Sequence, residues 1–318
     1  MKLLVAFNML REGWDELQQH FEVVFPPEGR DFTHDEIVEQ VADCDVLCSV
    51  FDIPVDREII DAGKKLKLIS NYAVGYNNID IEYAASKGIA VTNTPRSVVE
   101  PTADLALSLL LDATRNISRW DALMRKEQHA LKISRLTNLG TGIHGKTLGI
   151  IGMGNIGKAF ARRAQACGMK ILYNKRTRYT EAEEAGLAFT YASVEEILQQ
   201  ADVVSLHTPY SKETHHLIDA KALKMMKPSA ILINTGRGAL VDEAALVEAL
   251  RSGTIAAAGL DVFENKDIPS LELYSLPNVF LTPHIGTQTV DARMEMLKEL
   301  SDAVIGFFHG GREVPRVV

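Results

Sequence analysis

The sequence predicts an α/β chain made of two doubly wound parallel-sheet units, and three observations predict it. Short apolar runs alternate with amphipathic stretches along residues 3–92, the pattern of a parallel sheet covered on both faces. A glycine fingerprint appears only afterwards, at Gly152, Gly154 and Gly157, so it belongs to a second unit. Further apolar runs then follow, and 318 residues are enough for two domains.

In the first unit, residues 3–7, 21–25, 46–50, 68–70 and 89–92 read as strands, and 14–20, 34–42, 57–62 and 79–86 as helices. A long helix is predicted over 101–115, with Pro101 suited to its first turn. The stretch Gly140-Thr-Gly142-Ile-His-Gly145 leads into the fingerprint strand. Strands follow at 203–207, 231–235, 256–262 and 279–282, and a helix over 291–308 closes the chain. No fixed-period repeat or low-complexity tract interrupts this order.

The segment Thr147-Leu-Gly-Ile-Ile-Gly152-Met-Gly154-Asn155-Ile156-Gly157 is an apolar strand running into spaced glycines and a helix. The first glycine allows a tight turn, the second lets backbone approach a pyrophosphate, and the third lets helix and strand pack closely. The helix N-terminus turns free N–H groups and a positive dipole end toward the phosphates. A ribose-binding carboxylate is expected roughly twenty residues further on. Between Lys158 and Thr180, however, there is no acidic residue; the stretch reads Tyr173-Asn174-Lys175-Arg176-Thr177-Arg178. Asn174, Arg176 and Thr177 can donate to a 2′-phosphate at about 1.5–3 kcal/mol per charged hydrogen bond. This favours NADP(H), with NAD(H) also possible. A solvated basic loop is the competing reading of the same residues.

Apolar content of 46% and charged content of 24% describe an ordinary globular protein. A formal charge of −8 argues against nucleic acid or an anionic membrane as main partner. Three cysteines with no metal-ligand spacing point to core packing in a reducing compartment. The apolar start at 3–7 is too short for an export signal and is soon followed by Arg11 and Glu12. The longest apolar stretch, near 105–111, stops at Asp112, well short of a span. The expected location is the cytoplasm, and no metal site is expected.

In open α/β sheets ligands bind beyond the carboxyl ends of strands. Three such ends carry reactive groups: Asn234-Thr235-Gly-Arg237-Gly, Asp261-Val-Phe-Glu264 and Thr282-Pro-His284-Ile-Gly286. An arginine fork suits a substrate carboxylate and an adjacent carbonyl. A histidine suits the proton that accompanies hydride transfer. Arg237 could instead be a surface turn residue and His284 a satisfied core histidine. His215 and His216, being adjacent, are expected to diverge and lie on the surface.

Taken together these motifs resemble the D-isomer-specific 2-hydroxyacid dehydrogenases, the family of glyoxylate, hydroxypyruvate and D-lactate reductases. The likeness covers nearly the whole chain. It runs through Asn71-Tyr-Ala-Val74-Gly75-Tyr-Asn-Asn-Ile-Asp80, Gly88-Ile-Ala-Val-Thr-Asn93-Thr-Pro95, Thr102-Ala-Asp104, the glycine fingerprint, Asn234–Gly238 and Pro283-His284-Ile-Gly286. The resemblance implies a Rossmann cofactor domain, 99–287, inserted into a flavodoxin-like substrate domain of 1–98 and 288–318. It implies that N–H groups around Val74 and Gly75 hold the substrate carboxylate, that Arg237 orients it, and that His284 is the acid/base. Asp261 would face the nicotinamide, with Thr102, Asn155, Ile156, Pro209 and Thr235 lining the cofactor. Tyr72, Tyr76 and Ser97 would border the pocket. A homodimer is implied, through the helix beginning near Thr102 and the segment around Trp120.

One stretch departs from the family pattern, Asp-Val-Phe-Glu-x-Glu-Pro, whose second glutamate bonds the histidine. Here it reads Asp261-Val-Phe-Glu264-Asn265-Lys266-Asp267, with Lys266 at that position. A carboxylate would raise the histidine pKa and fix its tautomer, whereas an ammonium would do the opposite. Glu264 is the catalytic candidate in its place, with Asp267 the other option. The leading reading is a reductase of a small 2-keto acid. The alternative drawn from Lys266 is a dinucleotide-sensing binding protein, similar to the family's transcriptional corepressors.

Overall fold

Strands covered on both faces need apolar residues at nearly every position, and that requirement sets the architecture. The computed structural model describes residues 1–128, 134–265 and 268–318. Among these the chain begins β1 (Lys2–Val5), α1 (Asp15–His20), β2 (Glu22–Val24), α2 (His34–Val41), β3 (Val46–Ser49), α3 (Arg57–Ala62), β4 (Leu68–Asn71), α4 (Ile81–Ser86) and β5 (Ala90–Thr92). It continues α5 (Val99–Arg115), α6 (Ile117–Glu127), β6 (Thr147–Ile151), α7 (Asn155–Ala166), β7 (Lys170–Asn174), α8 (Glu181–Leu187), β8 (Phe189–Tyr191), α9 (Val194–Gln200) and β9 (Val203–Leu206). The last part is α10 (Ala220–Met225), β10 (Ile231–Asn234), α11 (Glu243–Ser252), β11 (Ala257–Leu260), α12 (Leu271–Ser275), β12 (Val279–Leu281) and α13 (Val290–His309).

These elements form two compact units, Met1–Val98 with Thr287–Val318, and Val99–Gly286. The first holds a parallel sheet in the order β2-β1-β3-β4-β5. Helices α2, α3 and α4 pack in a row, while α1 packs on α13 and α13 on β4. The C-terminal helix is therefore needed to bury β4, and it carries Met296, Leu297, Leu300 and Val304 at 2% exposure or less to do so. Beyond it the chain adds an edge contact: Val317 donates to the Val91 carbonyl at 2.8 Å, and Thr92 bridges Arg316 antiparallel. That covers ladder groups which β5 would otherwise leave open.

The second unit holds the order β12-β11-β10-β9-β6-β7-β8, again all parallel. Alternate residues feed opposite cores, as the pleat dictates. Ile231 and Ile233 join the cluster with Leu110, Ile150 and Phe160. Leu232, from the same strand, joins Val204, Leu206, Ile197 and Leu260 on the other face. Helix α5 lies across β10 and β11 and packs on α7. Among the described residues no helix is long and apolar enough to cross a membrane.

The short helices the sequence reading passed over carry visible start signals. Thr180 and Glu183 form a capping box at α8, and Ser193 and Glu196 form one at α9. Inside the first unit, the Glu299 carboxylate on α13 is 6% exposed and accepts from the Arg96 and Ser97 N–H groups, the Ser97 hydroxyl and the Arg96 guanidinium. Glu299→Ala takes the acceptor from the half-buried Arg96 and Ser97 backbone donors. We expect it to lower unfolding stability by about 2–3 kcal/mol in urea denaturation, most of it from those donors because the Arg96 side chain faces solvent.

Candidate active site

The fingerprint turn is built by steric necessity. Gly152 has φ +98°, and a Cβ there would lie 2.5 Å from the His207 carbonyl carbon and the Thr208 nitrogen. Gly154 is the opposite case: a Cβ there would meet nothing within 4 Å. It is the N-cap of α7, and no side chain caps that helix. Threonine, serine or aspartate side chains cap α2, α3, α8, α9, α10, α11 and α13. Asn155, Ile156 and Gly157 thus begin an uncapped helix beside open space, which suits a pyrophosphate. Thr235, at the end of β10, adds a buried hydroxyl with no hydrogen-bond partner. Thr102 is buried in α5, and Pro209 is exposed beyond β9. His207, missed in the sequence, sits at this junction with Nε2 2.8 Å from Ser205 Oγ. Burial pushes its pKa down to about 4, so the ring is neutral near pH 7.

The basic run after β7 is less free than its charge count predicts. Arg178 makes a fork with Glu184, both contacts 2.8 Å, and Lys175 lies over the Tyr179 ring at 4.0 Å. Glu184 also takes the Tyr173 hydroxyl at 2.6 Å, and these donors hold its carboxyl down at about 2. Asn174 is committed as well: its amide donates to the Ala192 carbonyl at 3.0 Å, and its own carbonyl receives the Gly152 and Met153 N–H groups. Arg176 and Thr177 remain exposed. Among the described residues no ion pair engages Arg176.

At the other end of the sheet, Asp261 closes β11. It is 1% exposed, and its carboxylate accepts from Thr282 Oγ1 at 2.6 Å, Ile285 N at 2.8 Å and Gly286 N at 3.1 Å. Its backbone N–H donates to Asn234 O, and its carbonyl receives the His284 N–H, both at 2.9 Å. Asp261 therefore ties the end of β10 to the turn beyond β12. Burial pushes its carboxyl above the usual range, against the Thr282 and Ile285 hydrogen bonds and the pull of His284. His284 stands in that turn at φ +54°. Arg237 follows β10 in a turn caged by Asn234, whose amide donates to the Arg237 carbonyl at 3.0 Å and whose oxygen accepts from Gly236 N at 3.0 Å. The ends of β10 and β12, one strand apart, are roughly 10 Å from each other by ordinary strand spacing.

Two expectations need correction here. The structure gives Glu264 partners other than His284: Oε1 lies 2.5 Å from His216 Nε2, and Oε2 accepts from Glu243 N at 3.2 Å. His215 and His216 do not diverge. Their rings stack at 3.9 Å and 24°, because His216 adopts φ +50° and folds its side chain back. Lys266 and Asp267 lie outside the described residues.

In the first unit, the loop after β4 is held by two asparagines that were not singled out. Asn93 donates to the Val74 carbonyl and Asn71 to the Gly75 carbonyl, each at 2.7 Å. In a trans peptide the N–H points opposite the C=O, so these contacts turn the Gly75 and Tyr76 N–H groups the other way. Pinned carbonyls with successive N–H groups turned away from them are a geometry suited to an anion. An asparagine at or just past each strand end, Asn71 at the end of β4 and Asn93 after β5, was the available signal. Tyr72 is fully buried with its hydroxyl on the Arg293 carbonyl, though its ring edges a cavity of about 420 Å³. Ser97 is bound to Glu299, so it is part of the α13 anchor, while Tyr76 is exposed.

Fold and turns define a dinucleotide-binding α/β protein with an arginine and a histidine at strand ends that flank β11. Residues 107–286 match the D-isomer specific 2-hydroxyacid dehydrogenase NAD binding domain. The chain is 44% identical over 317 residues to a glyoxylate reductase of Thermococcus gammatolerans, covering 99% of this chain and 94% of that one. Its fold matches a glyoxylate reductase from Paecilomyes thermophila at TM-score 0.88 and 35% identity, covering 100% and 98% of the two chains. It also matches the NADPH-dependent glyoxylate/hydroxypyruvate reductase of Sinorhizobium meliloti, solved with NADP and malonate, at TM-score 0.84 and 33% identity, covering 100% and 96%. The chain belongs to the D-isomer specific 2-hydroxyacid dehydrogenase family. These likenesses are to reductases and lend no support to the sensing alternative raised by Lys266.

The two glycines separate folding from binding. Gly152→Ala puts a Cβ into backbone at a positive φ and should cost about 2–3 kcal/mol of stability. Gly154→Ala should leave the urea midpoint near wild type while weakening dinucleotide affinity by about tenfold or more, read by protein fluorescence quenching. Equal loss of stability in both variants would contradict this division.

Proposed function

We propose that the protein is an NADPH-dependent reductase of a small 2-keto acid of the glyoxylate or hydroxypyruvate kind, yielding the D-2-hydroxy acid. The observation that carries this reading is the placement of Arg237 and His284 on either side of buried Asp261, in the sheet that bears the glycine turn. Gly152, Gly154, Asn155, Ile156 and Gly157 would hold the pyrophosphate, with Thr102, Pro209, Thr235 and Asp261 along the rest of the cofactor. When bound, the nicotinamide supplies the hydride.

The remaining chemistry falls to the chain's own groups. Arg237 clamps the carboxylate and polarises the neighbouring carbonyl, which a point-charge lysine would do less well. His284 donates the proton that the carbonyl oxygen takes up as it becomes an alcohol. Within the first unit, the Gly75 and Tyr76 N–H groups, with Val74 fixing their direction, are the donors suited to a carboxylate. That unit acts as the substrate domain and the second as the cofactor domain.

Exposed Arg176 and Thr177 support a 2′-phosphate, while Asn174 and Arg178 brace their loop. We further propose a homodimer, supported by α6, which buries none of its residues and exposes Ile117 and Met124 at 55% and 62%. Cytoplasmic residence accords with three free cysteines.

The test is NADPH or NADH oxidation by purified protein over a panel of 2-keto acids. Glyoxylate and hydroxypyruvate should be reduced, with kcat/KM about tenfold higher for NADPH, a preference that Arg176→Ala should largely remove. His284→Gln should lower kcat by about 100-fold or more. Cofactor binding with no oxidation on any acid would overturn the reading.

A further inference from the structure

The Arg237 turn rests on a cluster of side chains for which the proposed chemistry has no use. Gly238, the residue after Arg237, is packed directly against the segment after β11: a Cβ on it would lie 1.8 Å from the Phe263 carbonyl oxygen. The position of Arg237 therefore depends on where residues 263–264 are held. Glu264 and Glu243 hold them by a reciprocal exchange. Glu243 N donates to Glu264 Oε2 at 3.2 Å, and Glu264 N donates to Glu243 Oε2 at 3.1 Å. The second Glu243 oxygen takes the Ser270 N–H at 2.7 Å.

His216 closes the other side of the cluster, with Nε2 2.5 Å from Glu264 Oε1. His216 is itself anchored to the same turn from the other side. Its N–H donates to the Ala239 carbonyl at 2.9 Å, and Ile218 N donates to Leu240 at 2.9 Å. Its φ of +50° lies in the left-handed region, which histidine enters more readily than most residues. A side chain held on a carboxylate of a distant segment while its backbone holds the Arg237 turn points to a positional role.

We infer that His216, Glu264 and Glu243 form a clasp that positions the Arg237 turn, and so set affinity for the keto acid without acting on the reacting atoms. This rests on the reductase reading above. The three residues come from separate segments, one before β10, one at the start of α11 and one after β11. Together they fix residues 237–243 against 263–264, leaving Arg237 little freedom to retreat from a bound carboxylate. Misplacement of such a group by an ångström or less loosens the acid and slows the step it orients, while the proton donor stays in place.

The test uses His216→Asn and His216→Gly, both of which accept the left-handed backbone and remove the contact to Glu264. KM for glyoxylate should rise about tenfold in both, with kcat falling by less than KM rises, while the NADPH Kd by fluorescence stays within about twofold. Inhibition by oxalate, which offers a carboxylate but is not reduced, should weaken by a similar factor. A glyoxylate KM and oxalate inhibition at the wild-type values overturn the clasp. So does an NADPH Kd that rises in step, or a fall in kcat at constant KM. No turnover by the wild-type protein would sink the reductase reading itself. Turnover by wild type beside unchanged variants would sink the clasp alone.

Discussion

One buried carboxylate holds the business end of the second unit in register. Asp261 receives the Thr282 hydroxyl and the Ile285 and Gly286 N–H groups, while its backbone bonds Asn234 on one side and His284 on the other. Losing any one of these donors would cost on the order of a buried hydrogen bond to a charged acceptor, about 1.5–3 kcal/mol. The turn carrying His284 has a positive φ and would not hold that shape without a fixed acceptor. The desolvation that raises the Asp261 pKa is therefore the cost of an anchor.

A second constraint is charge economy in the loop after β7. Five consecutive residues from Asn174 to Arg178 carry three positive charges, yet the fold assigns most of them to itself. Arg178 is neutralised by Glu184, Lys175 stacks on Tyr179, and Asn174 bridges the glycine turn to the strand end beyond β8. The loop is thereby shaped before any ligand arrives, which lowers the ordering cost of binding. What it presents outward is a single guanidinium and a hydroxyl.

Much of this was legible in the sequence, for reasons that differ by element. Strands such as β3, β4 and β10 are short apolar runs, and their burial on both faces is what such runs mean. The glycine turn was legible because only glycine satisfies the geometry at residue 152. The partners of Glu264 were not, since they depend on the fold bringing residue 216 to residue 264 across 48 positions. Reading His215 and His216 as diverging assumed ordinary backbone angles, and φ +50° at His216 broke that assumption. Asn71 and Asn93 were in plain view within the family motifs. Their task, turning carbonyls so that N–H groups face outward, becomes visible only once the loop is folded.

The most direct measurement of this account is kcat/KM for glyoxylate in Asp261→Asn, taken beside its urea midpoint. An asparagine keeps the volume but sets its NH₂ group against one of the two backbone donors, Ile285 N or Gly286 N, which bond different oxygens of Asp261. The account predicts a loss of about 100-fold or more in kcat/KM in a protein that still folds. A variant that remains folded and works within about threefold of wild type would show that the strand-end turns do not depend on this carboxylate.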